Sequence, residues 1–325
     1  HTAKAAGIKV IYSFHDFYAI CPSFNLLDHN GTYCGGTCTP GDGECRVGIP
    51  WAHYPHLKHA FVSTWREIVL KALLRCDHLV SFSKSARQLI ISHYPQLDSD
   101  NYCVIEHGQD LSSFKQVPAA TSESLIRVVL IGSLNVSKGI RVLEKILKLN
   151  YDRKGPFEFH FVGNLHPSFN PQHLGGIVHG PYTREVLCRI LEDIRPSFAM
   201  ISSIWPETFC FALSECWAAG LPVFASDLGT VKERVEQTGA GWLLDLTNAE
   251  KSYEQMLRIA SDKAVQIEVR RKVSQVEIRP ISDMYQDYLR IYTTKRAKGF
   301  GWKRVVSSFG IESNLGKEVD GSIKY

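Results

Sequence analysis

The chain has 325 residues, of which 44% are hydrophobic and 22% charged, a makeup that suits a globular protein with room for two domains. A net charge of +4 permits anionic ligands without demanding them. Basic residues are dispersed and no recognised nucleic-acid module is present, which argues against nucleic-acid binding. No run of eighteen apolar residues occurs and no signal peptide is evident, so no transmembrane helix is expected.

Taken in chain order, Gly7 to Asp16 reads as an interior strand (8–14) running into a loop. Because His1 is not a start methionine, the chain is expected to lack the beginning of its first domain. A Gly/Cys-rich loop over 28–50 leads to a helix near 59–75 and a strand over 78–82. Ser83 is expected to cap a helix starting at Lys84. The strand 102–105 leads to Glu106-His107-Gly108-Gln109-Asp110, and a Ser/Pro/Ala-rich stretch from Gln116 to Ser124 resembles an interdomain linker. Beyond it strands and helices alternate. Strands are expected at 127–131, 157–162, 176–178, 198–202, 222–225 and 242–244. Helices are expected at 139–149, 184–194, 209–219, 231–237 and 250–261, with Thr230 as a candidate cap.

Short apolar runs alternating with amphipathic helices predict a parallel sheet covered on both faces, with ligands outside the carboxyl ends of its strands. The predicted organisation is a partial first domain over 1–122, a nucleotide-sugar domain over 123–294 and a tail over 295–325. A final helix with Met284, Tyr285, Tyr288 and Tyr292 on one stripe reads as packing against the first domain. The tail mixes basic residues with Phe300 and Trp302, as a solvated tail or a membrane-surface anchor would.

Of nine cysteines, Cys76, Cys103, Cys188, Cys210 and Cys216 sit in apolar contexts and are expected to be reduced core thiols. Cys21, Cys34, Cys38 and Cys45 cluster in the Gly-rich loop beside Asp28 and Asp42. Four thiolates could hold a structural zinc or an iron–sulfur group. The irregular spacing lacks a Cys-x-x-Cys pair, so unliganded thiols are the alternative.

The most informative segment is Trp205 to Glu215. It sets Glu207 and Glu215 eight positions apart on a predicted helix, about 12 Å along its axis and just over two turns. With the helix N-terminus facing a ligand, such a pair suits hydroxyls at both ends and anionic charge between them, the shape of a nucleotide-diphosphate sugar. In Gly132 to Gly139 a strand ends, a glycine allows a turn, and Lys138 stands where it can reach a diphosphate. His15, at the end of a first-domain strand, is a candidate for sugar or phosphate contact, with Asp16 to orient its imidazole.

Together these segments, with Ala219-Gly220-Leu221-Pro222-Val223 and Asp227-Leu228-Gly229, resemble the group 1 (GT4-type) retaining glycosyltransferases. That resemblance implies an α/β GT-B fold, two Rossmann-like domains facing each other across a cleft. It implies that Glu207 contacts donor-sugar hydroxyls, that Thr208, Phe209 and Cys210 lie against sugar and phosphate, that Glu215 holds the ribose, and that Lys138 meets the diphosphate and His15 the donor sugar. The donor-binding set is Gly132, Ser133, Lys138, Glu207, Thr208, Phe209, Cys210, Leu213 and Glu215, with His15, Lys138 and Glu207 at the chemistry and no cofactor required.

Two departures stand out. Ser133 occupies the place of an arginine found in many members, and Cys210 replaces a glycine. The implied activity is hexose transfer, with retention, from a nucleotide-diphosphate sugar to a glycan or lipid-linked acceptor in bacterial surface polysaccharide synthesis. The expected location is the cytoplasm, or the inner face of the membrane with peripheral contact. Alternatives are a sugar-nucleotide-binding fragment without transfer, or a GT-B sugar-nucleotide epimerase.

Overall fold

The computed structural model describes residues 2–28, 30–37, 46–47, 57–58, 60–117 and 125–294. Two parallel sheets organise them. The first has the order β1 (Ile11–Ser13), β2 (His78–Ser81), β3 (Tyr102–Val104), in register Ile11 with His78 and Leu79 with Tyr102. Helices α1 (Ala60–Leu73) and α2 (Lys84–His93) belong to this half. Ser83 caps α2 as expected, its Oγ accepting from the Ala86 amide at 3.1 Å.

The second sheet contains β4 (Ile126–Ile131), β5 (Phe157–Val162), β6 (Ile177–Gly180), β7 (Phe198–Ile201), β8 (Val223–Ser226) and β9 (Gly241–Leu244). Its spatial order is β9-β8-β7-β4-β5-β6, all parallel. The order reverses between β4 and β7, the crevice where such sheets receive ligands. Helices α3 (Ile140–Asp152), α4 (Arg184–Ile194), α5 (Phe211–Ala218), α6 (Gly229–Thr238), α7 (Ala249–Ser261), α8 (Lys263–Val273) and α9 (Ile281–Thr293) complete the chain.

The period-2 alternation of a strand explains why this sheet is covered twice. Val128, Leu130, Phe198, Met200 and Phe224 enter one core with α3 and α7. Their chain neighbours Val129, Ile131, Ala199, Ile201, Val223 and Ala225 enter the other, with α4, α5 and α6. Each such side chain contributes roughly 1.5–3 kcal/mol by leaving water, before conformational entropy is charged against it.

α5 ends where the sequence places its stop. Gly220 takes φ 78°, and the Leu221 amide bonds back to the Cys216 carbonyl at 3.0 Å, closing the last turn in a left-handed cap.

Four expectations need correction. Thr230 does not cap α6: the helix begins at Gly229, and the Thr230 hydroxyl is buried against Ser83 Oγ at 2.6 Å. α8 was not foreseen, because its charges run around it and leave Ile267 at 69% exposure instead of forming one apolar stripe. Only Cys210 and Cys216 of the five scattered thiols are buried; Cys76, Cys103 and Cys188 are half-exposed. The helix near Glu215 starts at Phe211, two residues later than expected. The linker core (118–124) and the tail (295–325) lie outside the described residues.

The two sheets meet through several elements. The carboxylate of Glu233 on α6 accepts from the Lys84 and Ser85 amides at 3.1 and 2.7 Å, supplying the exposed donors of the α2 N-terminus. α9 packs Met284, Tyr288 and Ile291 against Val80, Phe82 and Ile105 of the first sheet. Tyr288 Oη pairs with Ser13 Oγ at 2.9 Å, and Lys9 Nζ donates to the carbonyls of Ile291 and Tyr292 at the end of α9.

Candidate active site at the switch point of the second sheet

The loops after β4 and β7 knit together at the strand reversal. The Ile204 amide bonds to the Ser137 carbonyl at 2.9 Å, and Ser202 Oγ donates to the Lys138 carbonyl at 2.7 Å. Gly139 makes this approach feasible: it sits at φ 76°, and a Cβ there would lie 2.2 Å from the Ser202 carbonyl oxygen. Asn135 accepts from the Lys138 amide at 3.2 Å and tightens the turn that delivers the lysine.

Lys138 Nζ meets Glu207 Oε1 at 2.6 Å, and Ser203 Oγ donates to the same oxygen. The Glu207 side chain is 7% exposed and that of Lys138 30%. Burial alone would pull the lysine pKa down, but the adjoining carboxylate outweighs it and the net shift is upward, so Lys138 is a cation at neutral pH. Glu207 Oε2 has no partner among the described residues and is left to accept from a ligand.

Glu207 therefore does not stand on a helix. It lies in the loop before α5, and the two glutamates are not two turns apart on one helix face. The delay has a backbone cause: Cys210 adopts φ 71°, ψ 83°, a left-handed conformation that glycine takes without penalty and a side chain does not. The chain keeps the glycine-like geometry with a cysteine. Burial pushes the Cys210 thiol up to about 12, so it is protonated and inert as a nucleophile.

Glu215 lies on α5, 6% exposed, and lines a cavity of about 340 Å³ with Gly132, Ser133, Asn164, Tyr182 and Arg184. Tyr182 Oη donates to Glu215 Oε2 at 3.3 Å, and Arg184 Nε stands 3.5 Å from Oε1. Burial raises the Glu215 carboxyl above the ordinary range, only partly opposed by Arg184 and Tyr182.

Leu213 is fully buried and Phe209 nearly so; both serve packing, with Phe209 under the Arg234 guanidinium at 4.2 Å. Arg234 also donates to the Phe209 and Cys210 carbonyls at 3.1 and 3.0 Å and to Ser214 Oγ at 2.7 Å, holding the left-handed turn from beneath.

From the first domain, the His15 carbonyl accepts from Thr208 Oγ1 at 2.9 Å, so the residue beside Glu207 reaches across to β1's end. The His15 ring lies 4.8 Å from Phe82. Asp16 does not orient it: its carboxylate accepts from the Tyr18 amide at 2.8 Å. His107 joins this junction, stacked on Phe82 at 3.8 Å with Phe209 and Phe211 at 5.1 and 4.8 Å.

Sequence reasoning missed Tyr182, Arg184, Arg234 and His107. Tyr182 and Arg184 follow β6, so the same rule that singled out the loops after β4 and β7 also covers them. Nothing local marks Arg234 or His107.

In the Cys-rich loop, Cys21 is buried and accepts from Ser23 Oγ at 3.4 Å, while Cys34 Sγ donates to the Leu26 carbonyl at 3.1 Å. Cys38 and Cys45 lie outside the described residues.

Residues 126–262 match the profile of the family described as glycosyl transferases group 1. Over 100 residues the chain is 30% identical to a sucrose synthase of Melioribacter roseus, a stretch covering 30% of this chain and 12% of that protein. Among solved structures, Anabaena HepE, determined with UDP, superposes with a TM-score of 0.63 at 14% identity, covering 89% of this chain and 73% of the other. S. aureus TarM superposes with a TM-score of 0.56 at 14% identity, covering 71% of this chain and 47% of the other. The chain thus spans only a part of the sucrose synthase and about half of TarM.

Proposed function

This chain belongs to the group 1 glycosyltransferases, with the GT-B architecture, and we propose that it moves a hexose, with retention, from a nucleotide-diphosphate sugar to a glycan or lipid-linked acceptor. The observation that carries this reading is the Lys138–Glu207 pair at 2.6 Å on the strand reversal, with the Glu215 cavity beside it along the same strand ends. Glu215, Tyr182 and Arg184 suit a ribose, Lys138 a diphosphate, and the unpaired oxygen of Glu207 a sugar hydroxyl. HepE has been seen with UDP and glucose, and TarM with UDP and an α-GlcNAc-glycerol, which supports a nucleotide-sugar donor and a hydroxyl-bearing acceptor here.

In the proposed reaction the acceptor oxygen bonds to the anomeric carbon as that carbon's bond to the diphosphate breaks. The electron pair leaves with the diphosphate, whose oxygen takes the acceptor proton. Lys138 and the amides at the start of α5 stabilise the departing charge. Glu207 orients the sugar and does not attack it, so no second carboxylate across the anomeric carbon is needed, unlike most glycosidases.

Surface polysaccharide synthesis at the inner face of the membrane is part of this proposal. Among the described residues no helix is long and apolar enough to cross a membrane. A structural zinc or iron–sulfur group on Cys21, Cys34, Cys38 and Cys45 is a separate proposal, rejected by finding neither metal in anaerobically purified protein.

Calorimetric titration with UDP tests the donor site. Glu215→Gln should weaken UDP about tenfold by loss of a charge-assisted hydrogen bond. Wild-type affinity should fall as pH drops through the raised Glu215 pKa, because protonation removes that charge, and Glu215→Gln should lack this dependence. Full transfer activity in Glu207→Ala would reject the assignment of the sugar site.

A further inference from the structure

The strand ends carry a second cavity that the donor reading does not use. The Glu215 cavity occupies the β4-β5-β6 half of the sheet's carboxyl edge. On the other side of Lys138 and Glu207, at the ends of β7, β8 and β9, lies a space of about 560 Å³, roofed by Gly31, Thr32 and Tyr33 of the first domain. Its size is that of a small-molecule site.

Its lining is amphipathic. Val142, Ile204, Leu228 and Leu244 give an apolar floor. Ser226 Oγ, in a residue only 2% exposed, has no hydrogen-bond partner. A buried hydroxyl without a partner is costly, and one lining a cavity marks where a ligand's polar atom would sit. Lys145 lines the same cavity and has no partner among the described residues. Ser203 is the link to the chemistry: it lines the cavity and its hydroxyl donates to Glu207. Gly139, directly after Lys138, lines it as well.

We propose that this cavity binds a saccharide unit of the acceptor, with Ser226 Oγ and the rim groups on its hydroxyls and the apolar floor against its C–H face. The inference rests on the donor reading, because it takes the sugar at Glu207 as the group to be passed on. One hydrogen bond, Ser203 to Glu207, separates the two spaces, so an acceptor seated here is adjacent to the donor sugar. The roof from the first domain makes the site complete only when the two domains are together.

Saturation-transfer NMR with maltose and lactose as probes, in the presence of saturating UDP, tests the proposal. Wild-type protein should transfer saturation to at least one disaccharide. Ser226→Phe, which fills the cavity, should abolish the signal. Thr247→Trp, an exposed position on the rim, should weaken binding about tenfold or more and covers the case in which the buried variant fails to fold. Both variants should bind UDP as wild type does. UDP binding with no disaccharide signal, or a disaccharide signal that Thr247→Trp leaves intact, overturns the proposal while leaving the donor site standing. Loss of UDP binding in wild-type protein overturns the donor reading itself.

Discussion

Lowering the pH from about 7 to about 5 should destabilise the protein through His107, and the structure sets the size of the effect. The imidazole is stacked on Phe82 and edged by Phe209 and Phe211, and its ring nitrogens have no hydrogen-bond partner among the described residues. Burial first, then the His15 and Arg234 charges, lower its pKa from 6.5 to about 4. The unfolded chain therefore binds the proton more readily, and stability is lost as pH falls from the unfolded value towards the folded one. Proton linkage gives a loss of about 2 kcal/mol between pH 7 and pH 5, an upper figure for a ring that is only partly buried. His107→Phe keeps the stack and removes the proton site. Urea denaturation of both proteins across this range should show curves that converge at neutral pH and separate by about 1–2 kcal/mol at pH 5, the variant being the more resistant. Parallel curves would refute the reasoning, since every other titrating group is shared. The first domain supplies Phe82 and the second Phe209 and Phe211, so the same protonation should loosen the junction.

Two further outcomes follow from the loop before α5. Lys138→Met leaves the Glu207 carboxylate buried beside Ser203 alone and should cost about 2–4 kcal/mol, most of which Glu207→Gln in the same chain should restore; a double variant as unstable as the single one would contradict a buried charge pair. At Cys210, glycine relieves the left-handed strain but loses a buried thiol, so thermal unfolding should stay within about 1 kcal/mol of wild type, whereas Cys210→Val should cost about 2–3 kcal/mol. A harmless valine would mean the turn readily shifts to another conformation.

The second sheet was legible because each strand is a short apolar run followed by a turn and an amphipathic helix, a pattern in which local and tertiary preferences agree. The site was legible at its charged residues and less so in its shape. Glu207 was read onto a helix because Pro206 to Leu213 has no glycine to announce a break; the left-handed Cys210 imposes it, and the Arg234 contacts that hold it come from twenty-odd residues away. α8 was missed for a different reason: Lys263 to Val273 spreads its charges round the helix, and its partner is tertiary. His107 carries no local signal, since its perturbation comes from three phenylalanines gathered from two domains. The Ser226 cavity is formed by loops from both domains, a juxtaposition that a one-dimensional pattern does not contain.

The path of the chain between the two sheets sets how they can move. It crosses once after β3, through Leu111 to Val117, and again before α9, through Val276 to Pro280, where the Gln109 amide and the Arg279 carbonyl hold the strands of this double crossing 2.8 Å apart. A single tether would allow a swivel in any direction. Two tethers pinned side by side leave one easy rotation, about the line that joins them, and resist twist. The lobes would then open and shut like a book on its spine, so that Thr208 and the His15 carbonyl, on facing pages, return to the same register at every closure.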